Sequence, residues 1–136
     1  MSIKDLEPKV VWSNFYGLTQ QPRPSKHEGK VQEYLLKWGK DHGVDVQRDD
    51  TGNIIFRKAA TPGMEDRRGV ILQGHMDMVP QKTGDSKHDF LKDPINAYVD
   101  GDWVTADRTT LGADNGIGVA MGLAALTDPS VKHGPL

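Results

Sequence analysis

The segment Leu72-Gln73-Gly74-His75-Met76-Asp77-Met78-Val79-Pro80 has the residue types and spacing to do chemistry. An apolar run ends, a glycine permits a sharp change of direction, and His and Asp follow at i and i+2. In extended backbone, side chains at i and i+2 share a face, so His75 and Asp77 can converge. Neutral imidazole is a good zinc ligand, and a neighbouring carboxylate fixes its orientation and raises its basicity. From His-x-Asp alone, a surface loop carrying both residues by chance is the simpler reading. A second segment, Thr109-Thr110-Leu111-Gly112-Ala113-Asp114-Asn115-Gly116-Ile117-Gly118, places Asp114 at the mouth of a glycine-rich apolar stretch. There Asp114 is either a helix N-cap or a site residue. Capping accounts for an aspartate at that position, whereas the surrounding glycines permit close backbone approach and unusual dihedrals.

Other chemistries are excluded by what is missing. The run Gly116-Ile117-Gly118-Val119-Ala120-Met121-Gly122 imitates a dinucleotide fingerprint at the wrong spacing, with no clear strand leading into it. There is no His-Glu-x-x-His and no Gly-x-Ser-x-Gly, which excludes zincins and argues against an α/β-hydrolase. With no cysteine, disulfide scaffolds, thiolate zinc sites and cysteine nucleophiles are ruled out. His27 and His133 are expected to be solvated, and His42 to interact with a helix C-terminus. His88 lies in a long polar loop without an evident role.

The 136 residues suffice for one domain burying roughly two thirds of its unfolded surface. Seventeen Lys and Arg against 19 Asp and Glu give a net charge of -2, no electrostatic reason to expect nucleic acid or an anionic membrane. No window approaches the ~20 apolar residues of a membrane span, and Met1 to Glu7 lacks the apolar core of a secretory signal. A soluble, cytoplasmic protein is expected.

The elements that must position these residues follow from periodicity. Leu6, Val10, Val11, Phe15 and Leu18 predict a helix from about Glu7 to Leu18, ended by Pro22 and Pro24. Ser25 and Glu28 have capping-box spacing before a second helix with Val31, Tyr34, Leu35 and Trp38 on one face and Gly43 past its end. Val44–Gln47 and Asn53–Phe56 predict two strands around Asp49-Asp50-Thr51-Gly52. Gly69–Gln73 has the pattern of a strand buried on both faces. Residues 79–96 read as a long loop, and Asp100-Gly101 as the turn of a hairpin joining 97–99 to 102–105. Asn115 to Leu126 is apolar nearly all round and predicts a helix buried on most sides. The order suggests a mixed α/β layer architecture.

Taken together, Gly74-His75-Met76-Asp77-Met78-Val79-Pro80 and Thr110-Leu111-Gly112-Ala113-Asp114-Asn115-Gly116-Ile117-Gly118 resemble the first two motifs of the di-zinc exopeptidases, and among them the aminoacyl-histidine (Xaa-His) dipeptidases. Pro22-Arg23-Pro24-Ser25, Asp50-Thr51-Gly52-Asn53 and Asp93-Pro94-Ile95 add matches in the family's order. The resemblance implies that residues 1–136 form the N-terminal portion of an α/β catalytic domain, a mixed sheet with flanking helices. It implies a two-zinc site, with manganese or cobalt as alternatives, in which His75 is a terminal ligand and Asp114 the bridging carboxylate. Asp77 orients His75, and the Asp114–Asn115 peptide is expected to be cis. The implied substrate is a dipeptide. The family's Glu-Glu pair, later ligands and separate lid or dimerisation domain have no counterpart in these residues, and Arg108 stands where relatives tend to have glycine. The chain alone is therefore expected to be inactive, needing the C-terminal half or self-associating. The competing reading is a non-catalytic metal-binding or interaction module on the same scaffold.

Overall fold

A computed structural model describes residues 1–136. After a 3₁₀ turn at Ile3–Asp5 come α1 (Lys9–Thr19), α2 (Gly29–Asp41), β1 (Asp45–Arg48), β2 (Ile54–Arg57), β3 (Ala97–Asp100), β4 (Trp103–Ala106) and α3 (Ala113–Thr127). The α/β class expected from the sequence is the class observed. The named strands form two antiparallel hairpins, β1–β2 and β3–β4, rather than one mixed sheet.

The helices make the core because their apolar stripes face one another. Phe15 and Leu18 of α1, Val31, Leu35 and Trp38 of α2, and Ala120, Leu123 and Leu126 of α3 form one buried cluster with Ile3. Fully burying each Val, Leu, Ile or Phe side chain of this cluster contributes roughly 1.5–3 kcal/mol. Trp38 meets Phe56 of β2 edge-on at 5.7 Å and stacks on His42 at 4.1 Å, so the first hairpin lies against α2. Gly43 takes the left-handed conformation (φ 65°) that lets the chain leave α2 for β1. A smaller cluster of Met78, Ile95 and Ala106 fastens the long loop to the second hairpin.

The β1–β2 turn is organised by Asp49. Its carboxylate accepts from the Asn53 side chain at 2.8 Å, the Asn53 backbone at 2.9 Å and the Thr51 hydroxyl at 2.9 Å. These bonds, led by that from the Asn53 side chain, lower its pKa to about 2. A carboxylate depressed on folding stabilises the folded state above its unfolded pKa of about 3.9, a contribution lost as pH falls through the folded value. The Asn53 side-chain amide resonance is therefore expected to titrate with a midpoint near 2. A midpoint near 4 would mean that the turn does not hold these bonds in solution.

Four expectations are corrected. Ser25 and Glu28 do not form a capping box. Neither caps α2 by its side chain; Ser25 is turned to Met78, while Glu28 accepts from the Lys26 backbone at 2.9 Å. Gly69–Gln73 is not a buried strand. No strand lies beside it, only the Val70 N–H among its backbone groups bonds to another loop (Pro135, 2.9 Å), and Ile71 is 92% exposed. An apolar run becomes a buried strand only where neighbours take its backbone groups. α3 is not buried on most sides, because α1 covers one face and Met121 remains exposed on another. His133 is buried rather than solvated, its backbone N–H bonded to the Thr61 hydroxyl at 3.0 Å and Nδ1 2.6 Å from the Gly134 carbonyl.

Candidate functional site

The first candidate segment is anchored immediately after His75 and Asp77. Met78 donates its N–H to the Arg23 carbonyl at 3.0 Å and accepts from the Ser25 N–H at 3.1 Å, a parallel bridge to the connection between α1 and α2. Its side chain is 3% exposed. His75 therefore stands at the edge of a fixed segment, with its ring toward solvent.

The second segment enters α3 through an irregular turn. Gly112 is left-handed (φ 76°), while Asp114 (φ −91°, ψ 105°) and Asn115 (φ −112°, ψ 29°) depart from helical geometry. The Asp114–Asn115 peptide is cis, as the resemblance implied. Asp114 makes no capping bond, so the N-cap reading does not hold. The carboxylate is 92% exposed and lies beside His75.

The imidazole lies between two carboxylates. Nδ1 is 3.0 Å from Asp77 Oδ1 and 3.3 Å from the Asp77 carbonyl, and Nε2 is 3.1 Å from Asp114 Oδ1. Partial desolvation pulls the His75 pKa down, but the bonds to Asp114 and Asp77 outweigh it and raise the pKa above 6.5. The Ser25 hydroxyl is the main influence holding Asp77 below the usual carboxylate value; partial burial opposes it and His75 adds to it.

This donor set fits a divalent cation in part. Two donors about 2.0–2.2 Å from one tetrahedral zinc lie roughly 3.3 Å apart, close to the 3.1 Å between Nε2 and Oδ1. A histidine ligand commonly gives its other ring N–H to a carboxylate, the position that Asp77 occupies. No group of three or more His, Cys, Asp or Glu side chains in the chain is arranged to hold a metal ion by itself.

Two features beneath the pair were not assigned roles from the sequence. The Asn115 carboxamide fills space left by two glycines: a Cβ at Gly74 would lie 2.3 Å, and one at Gly118 2.5 Å, from its Oδ1. Arg23 is 1% exposed and bonds to carbonyls of both segments. Burial lowers its pKa to about 10, against the opposing charge of Asp77. The available signal was an arginine held between prolines, in a segment matched by the family resemblance but lacking the periodicity of an element. His88 lines an open cavity of about 540 Å³ with Pro24, Pro80, Lys82 and Phe90, and makes no bond to the His75–Asp114 pair.

Comparison with known proteins agrees with the family resemblance. The chain is 54% identical over 134 residues to the cytosol non-specific dipeptidase of Escherichia coli, covering 98% of this chain and 28% of that protein. The crystal structure of aminoacylhistidine dipeptidase from Vibrio alginolyticus superposes with a TM-score of 0.96 at 52% identity, covering 99% of this chain and 28% of that one. A tripeptidase from Staphylococcus aureus superposes at 0.72 with 22% identity over 96% of this chain and 35% of its own, a likeness of fold alone. No protein-family model matches the chain.

Proposed function

We propose that this chain, similar along nearly its whole length to dipeptidases but spanning 28% of theirs, supplies part of the metal site of a cytoplasmic dipeptidase acting on Xaa-His substrates. The observation that carries this reading is the 3.1 Å approach of His75 Nε2 to Asp114 Oδ1, with Asp77 on the opposite ring nitrogen. The names of the two relatives support the substrate class and the compartment. Residues 1–136 would be the N-terminal portion of the catalytic domain.

His75 would be a terminal ligand and Asp114 would bridge two cations, because a carboxylate has two oxygens and an imidazole one free nitrogen. Asp77 accepts the Nδ1 proton, which fixes the ring tautomer and aims the Nε2 lone pair outward. A cation would need the Nε2 lone pair, so any proton held there would be displaced on loading. Bound divalent ions, zinc first and manganese or cobalt as alternatives, would polarise the scissile carbonyl and acidify water.

The absence of a third ligand within these residues supports a second element of the proposal: the 136-residue chain does not hydrolyse dipeptides by itself. The exposed strip Val70, Ile71 and Leu72 would be covered by the remainder of such an enzyme or by a second copy. The same missing ligand favours the competing reading, a non-catalytic metal-binding module.

Calorimetric titration of the chain with zinc, beside His75→Ala, tests the site. Binding lost in the variant is expected; equal binding in both would overturn the assignment. Metal-dependent cleavage of an Xaa-His dipeptide by the pure chain would refute the proposed inactivity.

A further inference from the structure

We propose that Arg23 is a positioning residue for the His75–Asp114 pair, one guanidinium joining the loop that carries His75 to the turn that carries Asp114. Nη1 donates to the Met76 carbonyl at 3.0 Å, with the Asp77 carbonyl at 3.4 Å, so it grips the backbone between the two residues of His-x-Asp. Nη2 donates to the Gly112 carbonyl at 2.8 Å, two residues before Asp114. These contacts cross 53, 54 and 89 positions of sequence. Nε is buried without a partner, so the side chain's polar attachment is through its two terminal nitrogens.

The socket is built for this group. A Cβ at Gly112 would stand 2.6 Å from Nη2, and one at Gly116 would stand 2.9 Å from it and 2.9 Å from Phe15 Cε2. Two glycines of the second segment thus leave the space that the guanidinium fills. Its hydrogen-bond partners are neutral carbonyls, an expensive setting for a buried cation. That cost is consistent with a need for a rigid planar fork reaching two loops at once. A lysine ammonium is a point donor on a flexible stem and cannot reproduce the fork.

Arg23 touches neither substrate nor metal in this scheme; it acts through the loops it joins. Its zinc consequence rests on the reading of His75 and Asp114 as ligands, whereas its mechanical consequence does not. The test compares the chain with Arg23→Lys, which keeps the charge and loses the fork. In the metal-free chain, exchange of the Met78 and Gly116 amides, which are bonded to the Arg23 and Gly112 carbonyls, is expected to accelerate at least about tenfold relative to helical amides of α2. Zinc affinity is expected to fall about 10–100-fold, the usual effect of removing a ligand-orienting group. Leu35→Val, which loosens the same buried core on α2, is expected to leave zinc affinity unchanged.

Unaltered relative exchange at Met78 and Gly116 would overturn the proposal, as would zinc affinity equal to that of the parent. Should Arg23→Lys fail to fold, Gly116→Ala retains Arg23 and displaces its fork. The same local acceleration is then expected, and its absence is equally decisive. If the parent binds no zinc through His75, the metal reading fails, and the exchange arm still decides the role of Arg23.

Discussion

Asp114→Asn is expected to weaken zinc binding by more than about 100-fold, beyond the 10–100-fold typical of losing a group that only orients a ligand. The carboxamide is neutral and offers one oxygen where two cations would need two. Because the Asp114 side chain is 92% exposed and makes no capping bond, the substitution removes no packing. Surface changes of this kind usually leave stability within about 0.5 kcal/mol. Asp77→Asn is expected to fall inside the 10–100-fold range, since Asp77 contacts the far nitrogen of His75 and would not meet the metal. Zinc titrations beside urea unfolding curves separate the effects. Equal losses for Asp114→Asn and Asp77→Asn would remove the distinction between bridging and orienting carboxylates. An unchanged affinity in Asp114→Asn would end the bridging assignment.

Phe15→Ala is expected to destabilise the fold by about 3–5 kcal/mol, the range for truncating a buried aromatic. Phe15 is fully buried, meets Trp12 edge-on at 6.0 Å and abuts Gly116 at the start of the regular part of α3. A cavity there opens between α1 and α3, the helix pair in most extensive contact. Against a typical total stability of about 5–15 kcal/mol, this is a large fraction. A shift of the urea midpoint corresponding to less than about 1 kcal/mol would mean that the α1–α3 contact does not form as described.

Much of the fold was legible because local patterns act locally. The apolar stripe Val31, Leu35 and Trp38 gives α2, and Asp100-Gly101 gives the β3–β4 turn. Gly43 marks the end of α2 for a steric reason that needs no neighbour. Where the reading failed, a residue had a better partner far away. Ser25 has the spacing of a cap, yet its hydroxyl and N–H turn to Met78, and the hydroxyl also lowers the Asp77 pKa. Val70, Ile71 and Leu72 have the composition of a buried strand, but composition does not provide the neighbouring strands that burial requires. His133 was placed in solvent because nothing near it in sequence announced Thr61, 72 positions away.

The candidate site divides along the same line. Residue types and spacing alone put His75 beside Asp77, because an i, i+2 pair at the end of an apolar run meets with little help from the rest of the chain. They also marked Asp114 as a residue with two possible roles. Tertiary structure set the capping role aside by carrying Asp114 across 39 positions to Nε2 of His75, through a turn whose non-helical dihedrals periodicity cannot encode. It also placed Arg23 between the two segments, with Gly112 and Gly116 making room. Periodicity is a property of short windows, so it specifies helices and hairpins. A hydrogen bond between distant loops depends on how those helices pack, and packing is decided by the whole core at once.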